Sequence, residues 1–132
     1  MARPYLGGST ASSVSKTASF SLVPADNGKT FVLSGGAVTI TLPTLAGSLA
    51  GFSFKYISDS THNHVITGGA SVINYKGNYG SDHATNTGSD VHQDVSTLTL
   101  NDGERNDTVE CWTNGTRWYC QGSTLATMDA CS

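Results

Sequence analysis

Thr108-Val-Glu-Cys-Trp-Thr-Asn-Gly-Thr-Arg-Trp-Tyr-Cys-Gln121 is the stretch that decides the fold class. Two runs rich in β-branched and aromatic residues flank Asn114-Gly115. That dipeptide accepts the two positive φ angles of a type I′ turn, whose twist matches paired strands. With Asn114 and Gly115 as the loop, Thr113 pairs with Thr116, Trp112 with Arg117, Cys111 with Trp118 and Val109 with Cys120. Side chains alternate along a strand, so Val109, Cys111, Trp118 and Cys120 share one face, while Glu110, Trp112, Arg117 and Tyr119 share the other. The first face is apolar and is the expected core face. Burying Trp118 removes roughly 150–250 Å² from water, an upper bound of about 4–6 kcal/mol at ~25 cal/mol/Å².

The rest of the chain agrees with an all-β reading. Its 132 residues fit one domain, and they include 17 Ser, 17 Thr and 15 Gly with only 13% charged residues. Thr favours strands, whereas Ser and Gly favour turns. The net charge of −3, with seven Lys and Arg and no two adjacent, leaves no basic stripe to neutralise phosphates, which argues against nucleic acid as a partner. No apolar run approaches a membrane span, so no membrane partner is expected. The N-terminus lacks the apolar core of a signal peptide, so synthesis and folding in the cytoplasm are expected. Three cysteines, an odd number, fit reduced thiols better than a disulfide framework. In the register above, Cys111 and Cys120 lie diagonally, so a bridge between them would need a bulge or strain.

In chain order, residues 1–17 read as an extended N-terminal arm, broken by Pro4, Gly7 and Gly8 and poor in apolar groups. Such a segment either frays or is anchored on a neighbouring subunit by Tyr5 and Leu6. Residues 18–122 read as the β domain. Phe20 and Leu22 alternate with Ser19 and Ser21, and Val38, Ile40 and Leu42 with Thr39 and Thr41, until Pro43 closes the strand. Phe52, Phe54 and Tyr56 share a face, and two short runs follow near His64–Thr67 and Ser71–Lys76. Residues 77–94 read as a long polar loop, and residues 123–132 as a peripheral tail. No repeat of 20–50 residues is visible, which speaks against a solenoid. About nine short strands with turn signals between them predict an antiparallel sandwich, a jelly roll or a small barrel.

No catalytic pattern stands out. His62-Asn-His64 puts two imidazoles on one side of an extended segment, but a metal would need a further ligand from Asp82, His83, Asp90, His92 or Asp94, and no spacing specifies that meeting. Solvated loop histidines are the expectation. Asn101-Asp-Gly-Glu-Arg-Asn-Asp107 gathers three carboxylates without the spacing of a calcium loop, and a plain turn is expected there. Nucleophile elbow, phosphate loop and dinucleotide fingerprint are all missing. The reading therefore assigns no catalytic residue, no metal and no cofactor. Trp112, Arg117 and Tyr119 can form a cation–π group that binds sugar or protein. The expectation is that residues 123–132 or a second sheet cover this face; if it is exposed, Trp112 and Arg117 are where a partner docks.

Three segments together resemble a family of small bacteriophage virion structural proteins common in marine and cyanobacterial phages. They are Met1-Ala-Arg-Pro-Tyr-Leu-Gly-Gly-Ser9; Ala25-Asp-Asn-Gly-Lys-Thr-Phe-Val-Leu33 with Ile40-Thr-Leu-Pro43 and Gly51-Phe-Ser-Phe54; and Gly115-Thr-Arg-Trp-Tyr-Cys-Gln-Gly122. Their order and approximate spacing match across most of the chain. The departures are the polar insertion around residues 77–94 and Cys120, where a β-branched residue is usual. The resemblance implies a non-enzymatic head decoration, or cement, protein on the virion capsid surface. Its expected partners are the major capsid protein and neighbouring copies of itself in a homo-oligomer. Arg3, Pro4, Tyr5 and Leu6 of the arm are the expected anchor, with Trp112 and Arg117 as a second contact. Phage tail-fibre modules share the Leu-Pro and Gly-x-x-Trp-Tyr elements, so a tail or fibre module recognising host-surface glycan or receptor is the alternative.

Overall fold

The period-two alternation resolves into twelve strands in the computed structural model, which describes residues 12–79, 88–101, 104–125 and 127–131. They are β1 (Ser13–Lys16), β2 (Phe20–Ser21), β3 (Thr30–Leu33), β4 (Thr39–Thr41), β5 (Ser53–Ser58), β6 (Val65–Thr67), β7 (Ile73–Tyr79), β8 (Gly88–Val95), β9 (Thr97–Leu100), β10 (Thr108–Thr113), β11 (Trp118–Thr124) and β12 (Met128–Cys131). Seven form one sheet in the order β1-β3-β5-β10-β11-β7-β8, and five form a second in the order β12-β9-β6-β4-β2. The inner faces enclose one core, so the expected all-β class is what forms, as two mixed sheets of twelve strands where about nine were expected.

Strand direction differs from the antiparallel expectation. β1, β3 and β5 run parallel in the large sheet, β2, β4 and β6 run parallel in the small one, and β7 runs parallel to β11. The chain alternates between sheets as it advances, so residues 13–67 climb as three turns of a coil, each turn contributing one strand to each sheet. β1, β3 and β5 begin at residues 13, 30 and 53, so successive turns take 17 and 23 residues. Unequal turns leave no fixed sequence period, which is why a repeat search passes over this winding.

Both ends of the β domain extend beyond their expected limits. Ser13–Lys16 of the expected arm is the edge strand β1, paired with β3. Arg3, Pro4, Tyr5 and Leu6 lie outside the described residues. The expected peripheral tail supplies β12, which pairs with β9 and buries Met128. Most of the expected 77–94 loop is the β7–β8 hairpin, with residues 80–87 outside the described set. Along one side the two sheets are joined by side chains: Asp90 Oδ2 accepts the Met128 N–H at 2.8 Å, and His92 Nε2 donates to the Met128 carbonyl at 2.7 Å.

The β10–β11 hairpin keeps its predicted faces but not its predicted loop. Thr113 pairs with Trp118, Trp112 with Tyr119 and Cys111 with Cys120, leaving residues 114–117 as the loop. Asn114 causes the change. Its Oδ1 accepts the N–H groups of Thr116 (2.9 Å) and Arg117 (3.0 Å) and the Thr116 hydroxyl (2.9 Å), holding the turn from inside. Thr113 Oγ1 accepts the Gly115 N–H at 3.0 Å and donates to the Arg117 carbonyl at 2.5 Å. Gly115 has φ +96°, and a Cβ there would stand 2.9 Å from the Ala46 carbonyl oxygen, so the turn needs glycine on both counts. Relative to the two-residue loop, the sum of paired residue numbers changes by two. Face parity survives such a change, which is why Val109, Cys111, Trp118 and Cys120 are all buried as expected. Trp118 lies at the centre, edge-on to Phe52 (5.9 Å) and Phe54 (6.1 Å).

Candidate functional site

The exposed face of the seven-stranded sheet is the candidate site. Register places outward side chains in rows: Ser53, Trp112, Tyr119 and Asn74 in one, and Lys55, Glu110, Gln121, Lys76 and Val91 in the next. Contrary to expectation, neither the described residues among 123–132 nor the second sheet covers this face. β12 belongs to the other sheet, and Trp112 keeps 39% of its surface and Val91 59%. The Trp112 and Tyr119 rings are near parallel (29°) with centroids 6.1 Å apart. At that separation they are laterally offset, so part of each aromatic face stays open. Beside them is a groove of about 350 Å³ that Asn74, Lys76, Val91, Gln93 and Gln121 help to line.

A β-bulge shapes the groove's rim. Ile73 pairs with Val95 but Tyr75 pairs with His92, so Gln93 and Asp94 together oppose Asn74. Asp94 takes φ +54°, and its N–H donates to Asn74 Oδ1 at 3.1 Å. That bond fixes the Asn74 amide, whose nitrogen has no partner among the described residues. Arg117 forms an ion pair with Asp94, clipping the hairpin loop to the bulge. Trp112 thus stacks with Tyr119, while the Arg117 guanidinium serves the rim. Lys76 has no ion-pair partner among the described residues.

The other predicted candidates turn out to be structural. His62 is exposed, but His64 is 1% exposed rather than a solvated loop histidine. Its Nδ1 accepts the Val38 N–H at 3.2 Å, which places the ring proton on Nε2, facing Ser58 Oγ at 3.1 Å. Ser58 Oγ in turn donates to the Ser60 carbonyl at 2.7 Å. The polarity of this chain is opposite to that of a base activating a serine. Burial, with a smaller contribution from His62, holds the His64 pKa down at about 4.

Asp107 is buried and accepts the N–H groups of Glu104 (2.9 Å) and Leu125 (2.8 Å), tying its turn to the β11–β12 connection; burial pushes its carboxyl pKa up against those two donors. Asp90 and His92 hold Met128 and Asp94 holds Arg117, while Asp82, His83 and Asp102 lie outside the described residues. No group of three His, Cys, Asp or Glu side chains among the described residues could hold a metal ion. Cys111 and Cys120 face each other directly as free, buried thiols, and burial, with the Cys120 thiol beside it, pushes Cys111 well up.

Sequence reasoning singled out Trp112, Arg117 and Tyr119 but missed Asn74, Lys76, Gln93 and Gln121. Asn74 and Lys76 fall in the Ser71–Lys76 run read as a strand, whereas Gln93 falls in the expected 77–94 loop, and nothing local says that β7 lies parallel beside β11. No protein-family model and no curated protein matches the chain. No helix among the described residues is long and apolar enough to cross a membrane.

Proposed function

We propose that the chain is a non-enzymatic structural protein of a phage virion: a decoration protein that binds the outer surface of the major capsid protein, beside neighbouring copies of itself, and stabilises the head. The observation that carries this reading is where the segments of the resemblance lie in the fold. Ala25–Leu33 spans β3, Ile40–Pro43 ends β4, Gly51–Phe54 opens β5, and Gly115–Gly122 covers most of β11. Distant in sequence, they converge on one core, with Phe31 and Phe54 at 6.5 Å and Phe54 and Trp118 at 6.1 Å. The strand portions of these three segments thus meet in the core, while residues 25–29, 51–52 and 115–117 form turns and Met1–Ser9 lies outside the described residues. The buried His64 and Asp107 serve backbone groups, which accords with a scaffold role.

Co-sedimentation with undecorated heads tests the proposal. Full-length protein should saturate the heads, and deletion of residues 1–11, which leaves β1 in place, should abolish binding while the β domain stays folded. Failure of the full chain to bind heads refutes the decoration reading, and undiminished occupancy by the truncated chain refutes the anchor role. A second reading, a tail- or fibre-associated module that binds host-surface glycan or receptor, is favoured by the exposed Trp112–Tyr119 pair. Antibody labelling of tails instead of heads decides for it.

A further inference from the structure

We propose that the groove beside Trp112 and Tyr119 binds an acidic oligosaccharide, with a carboxylate-bearing pyranose ring stacked on the aromatic pair. This inference is independent of whether the chain sits on a head or a tail. A pyranose has a C–H face that packs on an aromatic ring and a rim of hydroxyls that wants planar, two-way hydrogen-bonding groups. The sheet supplies both in adjacent rows. Trp112 and Tyr119 are laterally offset with open faces, and the amides of Asn74, Gln93 and Gln121 line the same groove. The Asp94 N–H holds Asn74 Oδ1, so this amide is oriented before any ligand arrives. The bulge opposite Asn74 brings Gln93 and Asp94 to the outer side, and the Arg117–Asp94 pair secures that rim. At about 350 Å³ the groove falls at the small end of small-molecule clefts, the scale of one or two sugar rings.

Charge complementarity selects the class of sugar. Of the residues lining the groove, His92 turns its ring to the Met128 carbonyl of the other sheet, and Lys76 is the one fixed charge. It sits one row from the rings without an ion-pair partner among the described residues, so a ligand carboxylate is its natural counterion. A protein partner is the poorer fit. A protein hot spot needs a desolvated apolar centre, whereas among the described residues Val91 is the one exposed large apolar side chain lining the groove besides Trp112.

The test is titration calorimetry of the full chain with short oligosaccharides of galacturonate, mannuronate and hyaluronan, and with cellotriose and maltotriose as neutral counterparts. At least one acidic probe should bind more tightly than the neutral ones. Trp112→Ala should weaken it by about tenfold or more, a loss of ~1.4 kcal/mol. Lys76→Gln should weaken it severalfold at low salt and remove most of its salt dependence, since a screening length of about 3 Å at 1 M leaves little of that attraction in the unmodified chain. The thermal unfolding transition should be nearly unchanged in both variants, reporting an intact fold. The proposal is overturned if no acidic probe binds, if binding survives Trp112→Ala, or if neutral probes bind equally well and Lys76→Gln changes nothing. Loss of head binding in Trp112→Ala without any oligosaccharide binding overturns it in favour of a protein partner. Head co-sedimentation by the unmodified chain reads the decoration proposal separately.

Discussion

Acidification from pH 7 to pH 4 should destabilise this domain through one imidazole, that of His64. In the unfolded chain its pKa returns to the ordinary 6.5, while burial in the folded protein holds it at about 4. Between those values the unfolded state binds the extra proton and the folded state does not, so stability falls as pH drops through 6.5 and levels off below about 4. At 1.36 kcal/mol per pH unit the gap amounts to about 3 kcal/mol, a fifth or more of the net stability of a typical domain. The cause is geometric. A second ring proton would have to sit on Nδ1, where the Val38 N–H already points, in a site with 1% exposure.

The assay is urea denaturation at half-unit steps from pH 7.5 to pH 4, for the unmodified chain and for His64→Asn. The Asn oxygen can still accept from Val38 but cannot titrate. The variant should be less stable at pH 7, having lost the bond to Ser58, and should show most of the slope between pH 6.5 and pH 4 removed. A stability that does not change over that interval in the unmodified chain, or a slope that persists in His64→Asn, refutes the assignment.

Two further predictions concern the core. Trp118→Ala should cost about 3–5 kcal/mol, and Trp118→Phe distinctly less, because the indole Nε1 is buried without an acceptor among the described residues and Phe removes that unmet donor; equal losses on thermal melting would show that the indole nitrogen is satisfied. Gly77 and Gly122 lie opposite each other on β7 and β11, and a methyl on either would overlap the Tyr75 hydroxyl. Gly122→Ala should therefore cost roughly 1–3 kcal/mol, and Tyr75→Phe should restore part of it; additive losses in the double variant would refute the clash.

What was legible along the chain was parity, and what was not was neighbourhood. Trp118 and Phe54 could be placed inward from alternation alone, since a strand has only two faces and one is apolar. The same alternation assigned Trp112 and Tyr119 correctly to the outer face, yet said nothing of what lies above that face. Whether it was covered depended on where the chain runs after β11, and β12 pairs with β9 in the other sheet. His64 was misread because its neighbours His62 and Asn63 are polar. Its burial is set by Val38 and Ser58, which lie on other strands or at their ends.

The sequence by itself determined an all-β domain, the faces of its hairpin, the close of a strand at Pro43 and the need for glycine at position 115, because these depend on local φ/ψ preference and period-two burial. Only the tertiary structure decided that residues 13–67 wind between two sheets, that Asn114 opens the hairpin loop to four residues, and that β7 lies beside β11 to bring Asn74 and Lys76 next to Trp112 and Tyr119. Backbone pairing is nearly indifferent to sequence. Which strands become neighbours is settled by how the whole set of apolar faces can be buried at once, and the groove exists only where that solution leaves an aromatic pair on the outside.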